Sequence, residues 1–285
     1  MKLALFDGHR PGLVVDDDVI DLSPRVSAVT PAGAWSEWLD RHGDFAGVED
    51  IDLAGLARIP LAEVTLDAPL PRPGKIIAAP VNYLDHKIEM SEQKTIAEYG
   101  VFLKATSSVL APGGTVMLPF TDRRTDQEGE LGIVIGRTAR TVSTEDALSY
   151  VAGYTGILDI SVRSTEDRST RKSFDTFTPI GPFLVTPDEV GDADALQLDC
   201  WVGGEHRQSV STSEMIFGVP QLVAYASSIM TLWPGDVIAS GTPAGVGALS
   251  DGDDIVLEIA RIGRLHVAVS AAQAAPYASR PLPRP

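Results

Sequence analysis

Cysteine is almost absent from this chain: Cys200 stands alone among 285 residues. One thiol excludes an intramolecular disulfide and a cysteine zinc cluster. It lies in an alternating, strand-like stretch, residues 196–202, which marks a buried structural thiol rather than a nucleophile. Histidine is scarce too. The chain has five, none spaced H-x-x-x-H, so a histidine-rich zinc site has no basis. There is no G-x-S-x-G elbow, no G-x-x-x-x-G-K-[ST] loop and no convincing G-x-G-x-x-G, which removes support for a serine hydrolase of the elbow type and for nucleotide binding.

Long apolar runs are missing, so no stretch approaches a membrane span. The first residues meet charge too early for a secretory signal, and the expectation is a cytoplasmic protein. Positive charge is in short supply: 23 Lys and Arg stand against 39 Asp and Glu, a formal charge of −16. That balance argues against binding nucleic acid or an anionic membrane through bulk electrostatics. An anionic small substrate stays compatible with it, because a bound metal and a few Arg or Lys can reverse the sign locally.

What is present is ordinary globular material, 44% hydrophobic and 22% charged. Residues 1–70 read as a small N-terminal domain with strands near 3–6, 13–15 and 19–22 and weak helical spacing at 34–39 and 53–58. Pro69, Pro71, Pro73 and Gly74 mark a linker. The unit at 71–270 opens on a buried-type strand at 75–79, then a mainly helical segment at 83–99, then many short strands broken by Gly and Pro. Two further helices are predicted, at 144–151 and 219–228. The tail, 271–285, is rich in Ala, Pro and Arg and reads as flexible. Many strands with few helices predict an α+β, β-rich fold rather than a doubly wound sheet.

Three carboxylates sit at the polar edges of apolar runs. Glu128 and Glu130 are two positions apart, so on a strand they share a face, and Asp159 ends the stretch from Gly153. Anions so placed repel unless a cation lies between them, and hard oxygen donors suit Mg²⁺, Mn²⁺ or Ca²⁺. His86 and Glu89 are three apart, the spacing of one helical face. The pair reads either as a general base for water or as a surface helix pair. Lys172, between a polar stretch and apolar residues, either points into a pocket to neutralise an enolate or carboxylate or snorkels to water. The glycine-rich run 241–247 after a strand either lets backbone approach a ligand or makes a structural turn.

Taken together and in order, these segments resemble the fumarylacetoacetate hydrolase family over residues 73–270. The matching pieces are Lys75–Ala79 with Asn82, Tyr83, His86 and Glu89; the Asp126-Gln127-Glu128-Gly129-Glu130-Leu131 motif; and Asp159 with Arg163. They continue with Lys172-Ser173-Phe174-Asp175 and Gly181-Pro182, then Arg207-Gln208 and the loop Gly241-Thr242-Pro243-Ala244-Gly245. The resemblance implies a mixed β-sandwich roll with a small N-terminal domain, usually a homodimer. It implies Glu128, Glu130 and Asp159 as ligands of Mg²⁺ or Mn²⁺ (Ca²⁺ being an alternative occupant in crystals) and His86 with Glu89 as the water-activating pair on a mobile lid. It makes Lys172 the polarising lysine, and Arg163, Glu166, Gln208 and Thr242 substrate-side residues.

The implied reaction is metal-dependent cleavage of a carbon–carbon bond in a 2,4-dioxo acid, a small-molecule oxo acid, as in aromatic catabolism. Oxaloacetate-type decarboxylation, 2-hydroxydienoate isomerisation and, remotely, metal binding without catalysis are the alternatives. The chain departs from the family pattern at four places. Leu158 replaces the usual Asn before the metal Asp, Glu166 a usual substrate-binding Gln, Pro80-Val81 a usual Gly, and Gln127 a usual aromatic. A negative charge at position 166 predicts preference for a polar or cationic substrate group.

Overall fold

The computed structural model describes residues 1–281. The chain begins with an antiparallel meander, β1 (Lys2–Phe6), β2 (Arg10–Val15) and β3 (Asp18–Asp21), then α1 (Ala34–His42) and the short strands β4 (Arg58–Pro60) and β5 (Leu66–Asp67). Next come β6 (Ile76–Ala78), α2 (Leu84–Glu89), α3 (Ile96–Tyr99), β7 (Phe102–Lys104), β8 (Val109–Leu110) and β9 (Thr115–Met117). The central run holds β10 (Thr125–Gln127), β11 (Gly129–Ile135), β12 (Val151–Leu158), β13 (Ser161–Val162), α4 (Arg168–Arg171) and β14 (Thr178–Val185). The chain closes with α5 (Pro187–Val190), β15 (Gln197–Val202), β16 (Glu205–Ser211), α6 (Val219–Ile229), β17 (Val237–Ala239), β18 (Gly247–Ala248), β19 (Asp254–Ile259) and β20 (Gly263–Ser270).

These strands form a mixed, twelve-stranded sheet ordered β4-β3-β2-β1-β14-β12-β11-β17-β6-β7, with β5 on β1 and β8 on β14. A five-stranded sheet (β16-β15-β19-β20-β9) packs over it, and a small sheet, β13-β10-β18, lies at one end. The fold is the α+β, β-rich class expected from the sequence.

Burial explains the patterns. Every residue of β11 and β12 is buried, because both faces of the large sheet are covered. On one face Leu131, Ile133 and Ile135 meet Leu198, Cys200, Leu257 and Val267 of the second sheet and Leu222 and Val223 of α6. On the other, Val134, Ile157, Ile180 and Val237 meet Trp35, Leu39 and Phe45 from α1 and the turn after it. β19, with alternate residues buried, shows the one-sided pattern of a sheet with an outer face. Burial also pushes the Cys200 thiol up to about 12, as an inert core thiol requires.

Sheet pairing crosses the linker: β1 pairs with β14, Lys2 opposite Val185, so the N-terminal strands extend the large sheet. Three local expectations differ. Residues 53–58 form no helix; Gly55 takes a left-handed backbone (φ 75°) and Arg58 starts β4 against β3. The helix expected over 83–99 is split into α2 and α3, the second opened by a Thr95–Glu98 capping box. The segment 144–151 holds one 3₁₀ turn, Ala147–Tyr150, before Val151 enters β12.

In the tail, Ala275 bridges to Phe120, the Tyr277 ring meets Phe120 at 4.9 Å, and Arg280 ion-pairs with Glu166. The last part of the tail expected to be flexible, residues 282–285, lies outside the described residues. No helix among the described residues is long and apolar enough to cross a membrane.

Candidate active site

Antiparallel pairing of β11 with β12 sets Gly129 opposite Leu158, and the Asp159 amide then donates to the Glu128 carbonyl at 2.8 Å. Glu128 falls in the break between β10 and β11, and Glu130 lies one pleat inside β11. The result is convergence: one carboxylate oxygen from each of Glu128, Glu130 and Asp159 lies within 4.8 Å of the others, and all three side chains are buried. Among the described residues no other group of three or more His, Cys, Asp or Glu converges in this way.

Cations offset part of this charge. Lys172 Nζ donates to Glu128 Oε2 and to Asp159 Oδ2, each at 2.6 Å. Lys104 Nζ donates to Asp159 Oδ1 at 2.6 Å and to the Phe177 carbonyl at 2.8 Å. Arg163 donates to Asp126 Oδ2 (2.7 Å) and Glu128 Oε1 (2.9 Å), while Arg124 grips both oxygens of Asp126.

Burial would raise the Glu128 carboxyl, but Lys172 and Arg163 hold it well below the usual carboxylate range. Burial opposes charge on both lysines. For Lys172, Asp159 and Glu128 more than offset it; for Lys104 burial wins, helped by repulsion from Lys172. Glu130 has no cationic partner among the described residues. Its Oε2 accepts from the Gly241 amide at 2.8 Å, and burial, then the negative charge of Asp159, push its carboxyl well above the ordinary value. Three buried hard-oxygen donors, one of them without an ion pair among the described residues, fit a divalent cation such as Mg²⁺ or Mn²⁺.

The second component is α2. His86 Nδ1 lies 3.0 Å from Glu89 Oε2. A carboxylate there accepts a hydrogen bond from Nδ1–H, the tautomer that leaves the lone pair on Nε2. Glu89 Oε1 accepts from the Gly245 amide (2.9 Å) and Asp85 Oδ2 from the Ala244 amide (3.2 Å), so α2 is latched to the glycine-rich loop. Gly245 has φ 99°, and a Cβ there would run into the Arg207 carbonyl, so only glycine fits that close approach.

His86, Glu128, Glu130, Asp159, Lys172 and Thr242 face one cavity of about 540 Å³, walled on its apolar side by Val81, Met90, Phe102 and Tyr277. Gln208 is brought near but does not line it. Its Oε1 accepts from the Gly129 amide (2.9 Å) and its Nε2 donates to Thr242 Oγ1 (2.7 Å), which ties β16 to the carboxylate strand.

Residues 75–270 match the family model described as fumarylacetoacetate (FAA) hydrolase C-terminal. The chain belongs to the fumarylacetoacetate hydrolase family. It is 44% identical over 286 residues to the maleylpyruvate hydrolase of Aquipseudomonas alcaligenes, a match covering 94% of this chain and 99% of that protein. The crystal structure of maleylpyruvate hydrolase from Sphingobium sp. SYK-6, in complex with manganese(II) and pyruvate, superposes with a TM-score of 0.86 at 40% identity, over 96% of this chain and all of that one. Human mitochondrial oxaloacetate tautomerase is 39% identical over 223 residues, 74% of this chain and 71% of that protein.

The places where this chain departs from the fumarylacetoacetate hydrolase pattern have structural explanations. Leu158 is fully buried in the core. Gln127 holds the glycine loop, donating to the Gly245 carbonyl (2.9 Å) and accepting from the Gly247 amide (3.1 Å). Val81 adopts φ 53°, a left-handed conformation that costs a β-branched residue energy at a position where glycine would be free of it. Glu166 turns from the cavity: it accepts from Ser164 and pairs with Arg280 at 2.5 Å, among residues 277–281.

The sequence gives no sign of Lys104 or Arg171 at the site, and Asp126, though part of the carboxylate motif, has no role legible there as the partner of Arg124 and Arg163. Lys104 reads as the polar end of a short strand, and nothing local says that its amine is buried against Asp159.

Proposed function

We propose that the chain is a hydrolase that cleaves a carbon–carbon bond in 2,4-dioxo acids, with Mg²⁺ or Mn²⁺ held by Glu128, Glu130 and Asp159. The observation that carries this reading is that the carboxylate cradle, His86 with Glu89 bonded behind it, and Lys172 meet at one cavity lined by His86, the three acids and Lys172. The cation, when bound, supplies Lewis-acid polarisation at the 2-oxo-acid end of the substrate.

The residues of the chain do the rest. His86 Nε2 takes a proton from water, and the hydrogen bond from Nδ1 to Glu89 supports the imidazolium that forms. The hydroxide adds to the distal carbonyl, the C3–C4 bond breaks, and its electron pair becomes the enolate of a pyruvate unit, later protonated at C3. Lys172 offers an ammonium donor where that oxyanion charge develops. Arg163 steadies Glu128, and Thr242, whose hydroxyl accepts from Gln208 and donates to the Gly129 carbonyl, lines the cavity.

The relationship to an oxaloacetate tautomerase supports a second reading, in which the same groups hold an enolate and move a proton without consuming water. Product analysis separates the readings. Hydrolysis releases two acids from a 2,4-dioxo acid, decarboxylation of oxaloacetate releases CO₂, and tautomerisation changes absorbance alone. Two acids from a 2,4-dioxo acid support the proposal; turnover confined to oxaloacetate overturns it. A homodimer, a cytoplasmic location and a role in aromatic catabolism belong to the same proposal, the first open to light scattering.

A further inference from the structure

The family match ends at residue 270, yet a side chain beyond it lines the cavity: Tyr277, on the strap 271–281 that follows β20. The strap is tied down along its length. The Ala275 amide donates to the Pro119 carbonyl and its carbonyl accepts from the Thr121 amide, each at 3.1 Å, and the Tyr277 amide donates to Asp122 Oδ1 at 2.8 Å, opening a 3₁₀ turn over Tyr277–Ser279.

The ring of Tyr277 is pinned as well. Phe120 meets it edge-on with centroids 4.9 Å apart, and the guanidinium groups of Arg123 and Arg280 lie over it at 4.4 Å and 5.4 Å. Cations over an aromatic face hold it by the ring quadrupole. A ring fixed before a ligand arrives gives up little freedom on binding, so contact with it carries through to affinity.

Four side chains make the apolar side of the cavity. Phe102 lies against the Lys172 ammonium at 5.3 Å, beside the cradle, and Val81 and Met90 flank α2. Tyr277 is the one of the four that the strap supplies. With the 2-oxo-acid end of a substrate at the cradle, the acyl substituent is the part that gains by leaving water for apolar surface. The cavity volume falls within the range of about 300–1,000 Å³ usual for small-molecule sites, room for a substituent larger than methyl. Glu166, expected from the sequence to select the substrate, is held by Arg280 and does not line this cavity.

We propose that Tyr277 is a specificity-determining residue: its ring receives the apolar part of the acyl substituent, so that selectivity for extended over methyl acyl groups depends on it. This rests on the hydrolase reading and adds to it a residue from outside the family match.

The test compares magnesium-loaded wild type, Tyr277→Ala and Tyr277→Phe on 2,4-dioxopentanoate, whose acyl group ends in methyl, and 2,4-dioxo-4-phenylbutanoate, whose acyl group ends in phenyl. The readout is the ratio of kcat/KM, phenyl over methyl. In Tyr277→Ala the ratio falls on the order of tenfold, carried by KM, and in Tyr277→Phe, which keeps the ring, it stays within about threefold of wild type. An unchanged ratio in Tyr277→Ala, or a raised one, overturns the assignment. A ratio lowered as far in Tyr277→Phe as in Tyr277→Ala overturns the role of the ring. Should the wild type turn over neither acid, the hydrolase reading fails, and calorimetry with 2-oxo-4-phenylbutanoate and 2-oxopentanoate judges Tyr277 alone. Tighter binding of the phenyl acid by wild type, with the preference lost in Tyr277→Ala, supports the assignment; equal binding of the two acids by wild type, or a preference kept in Tyr277→Ala, overturns it.

Discussion

Lys172 Nζ donates to Asp159 Oδ2 at 2.6 Å in a buried pair at the cavity wall, and the same ammonium reaches Glu128 Oε2 at 2.6 Å. One lysine thus bridges two of the three proposed metal ligands. Were a cation held in the cradle, it would take over part of that neutralisation and leave a Lys172 N–H for substrate oxygen.

Replacing Lys172 by Met strands buried anions. The metal-free protein should lose about 3–5 kcal/mol of stability, since removing one partner of a buried pair leaves an uncompensated charge. Magnesium should restore part of it by binding the folded state. Chemical denaturation with and without magnesium checks this; equal stability of the metal-free mutant and wild type would remove Lys172 from the role of counter-charge.

His86 lies outside the cradle but on the same cavity. His86→Ala should leave metal affinity unchanged and lower hydrolysis by roughly 10²–10⁴-fold, the usual worth of a positioned general base. Glu89→Gln should also lower hydrolysis, because its single amide oxygen cannot accept from both His86 Nδ1–H and the Gly245 amide as the two carboxylate oxygens do. Calorimetry and steady-state kinetics separate the two effects; weakened metal binding in His86→Ala would show that it serves the cradle instead.

Glu130 should give the proposed metal site a pH dependence. Burial and Asp159 raise its carboxyl well above the ordinary 4.5. The protonated form is thus favoured on folding, and its contribution to the stability of the metal-free protein is present below the ordinary value and lost as pH rises through the raised one. Metal binding requires the carboxylate, so it should expel that proton, and apparent affinity should climb with pH above 4.5. Calorimetry in buffers of different ionisation enthalpy measures the release. Glu130→Gln should abolish it; unchanged proton release in that variant would assign the proton elsewhere.

Much of the cradle was legible in the chain because its acids interrupt apolar runs that can only be buried strands, as Glu128, Glu130 and Asp159 do at the ends of β11 and β12. Partners distant in sequence were not. Lys104 is set by a tertiary contact 55 residues away, and the Glu166 ion pair spans 114 residues. Helix readings failed where tertiary pairing overrode weak spacing: residues 58–60 joined a sheet, and Val151 went into β12.

The Glu166–Arg280 pair is partly exposed, with side chains 27% and 33% accessible, so it contributes at most about 1 kcal/mol. Glu166→Gln should leave KM for 2,4-dioxo acids within about threefold of wild type. A larger change in KM, measured at constant magnesium, would return Glu166 to the substrate.

The central claim is that a divalent cation sits among Glu128, Glu130 and Asp159. Anomalous diffraction at the manganese edge from crystals grown with Mn²⁺ tests it most directly. One strong peak is expected within coordinating distance of all three carboxylates, absent from Asp159→Ala crystals; no peak there, or one bound elsewhere, would show that the three acids hold no cation.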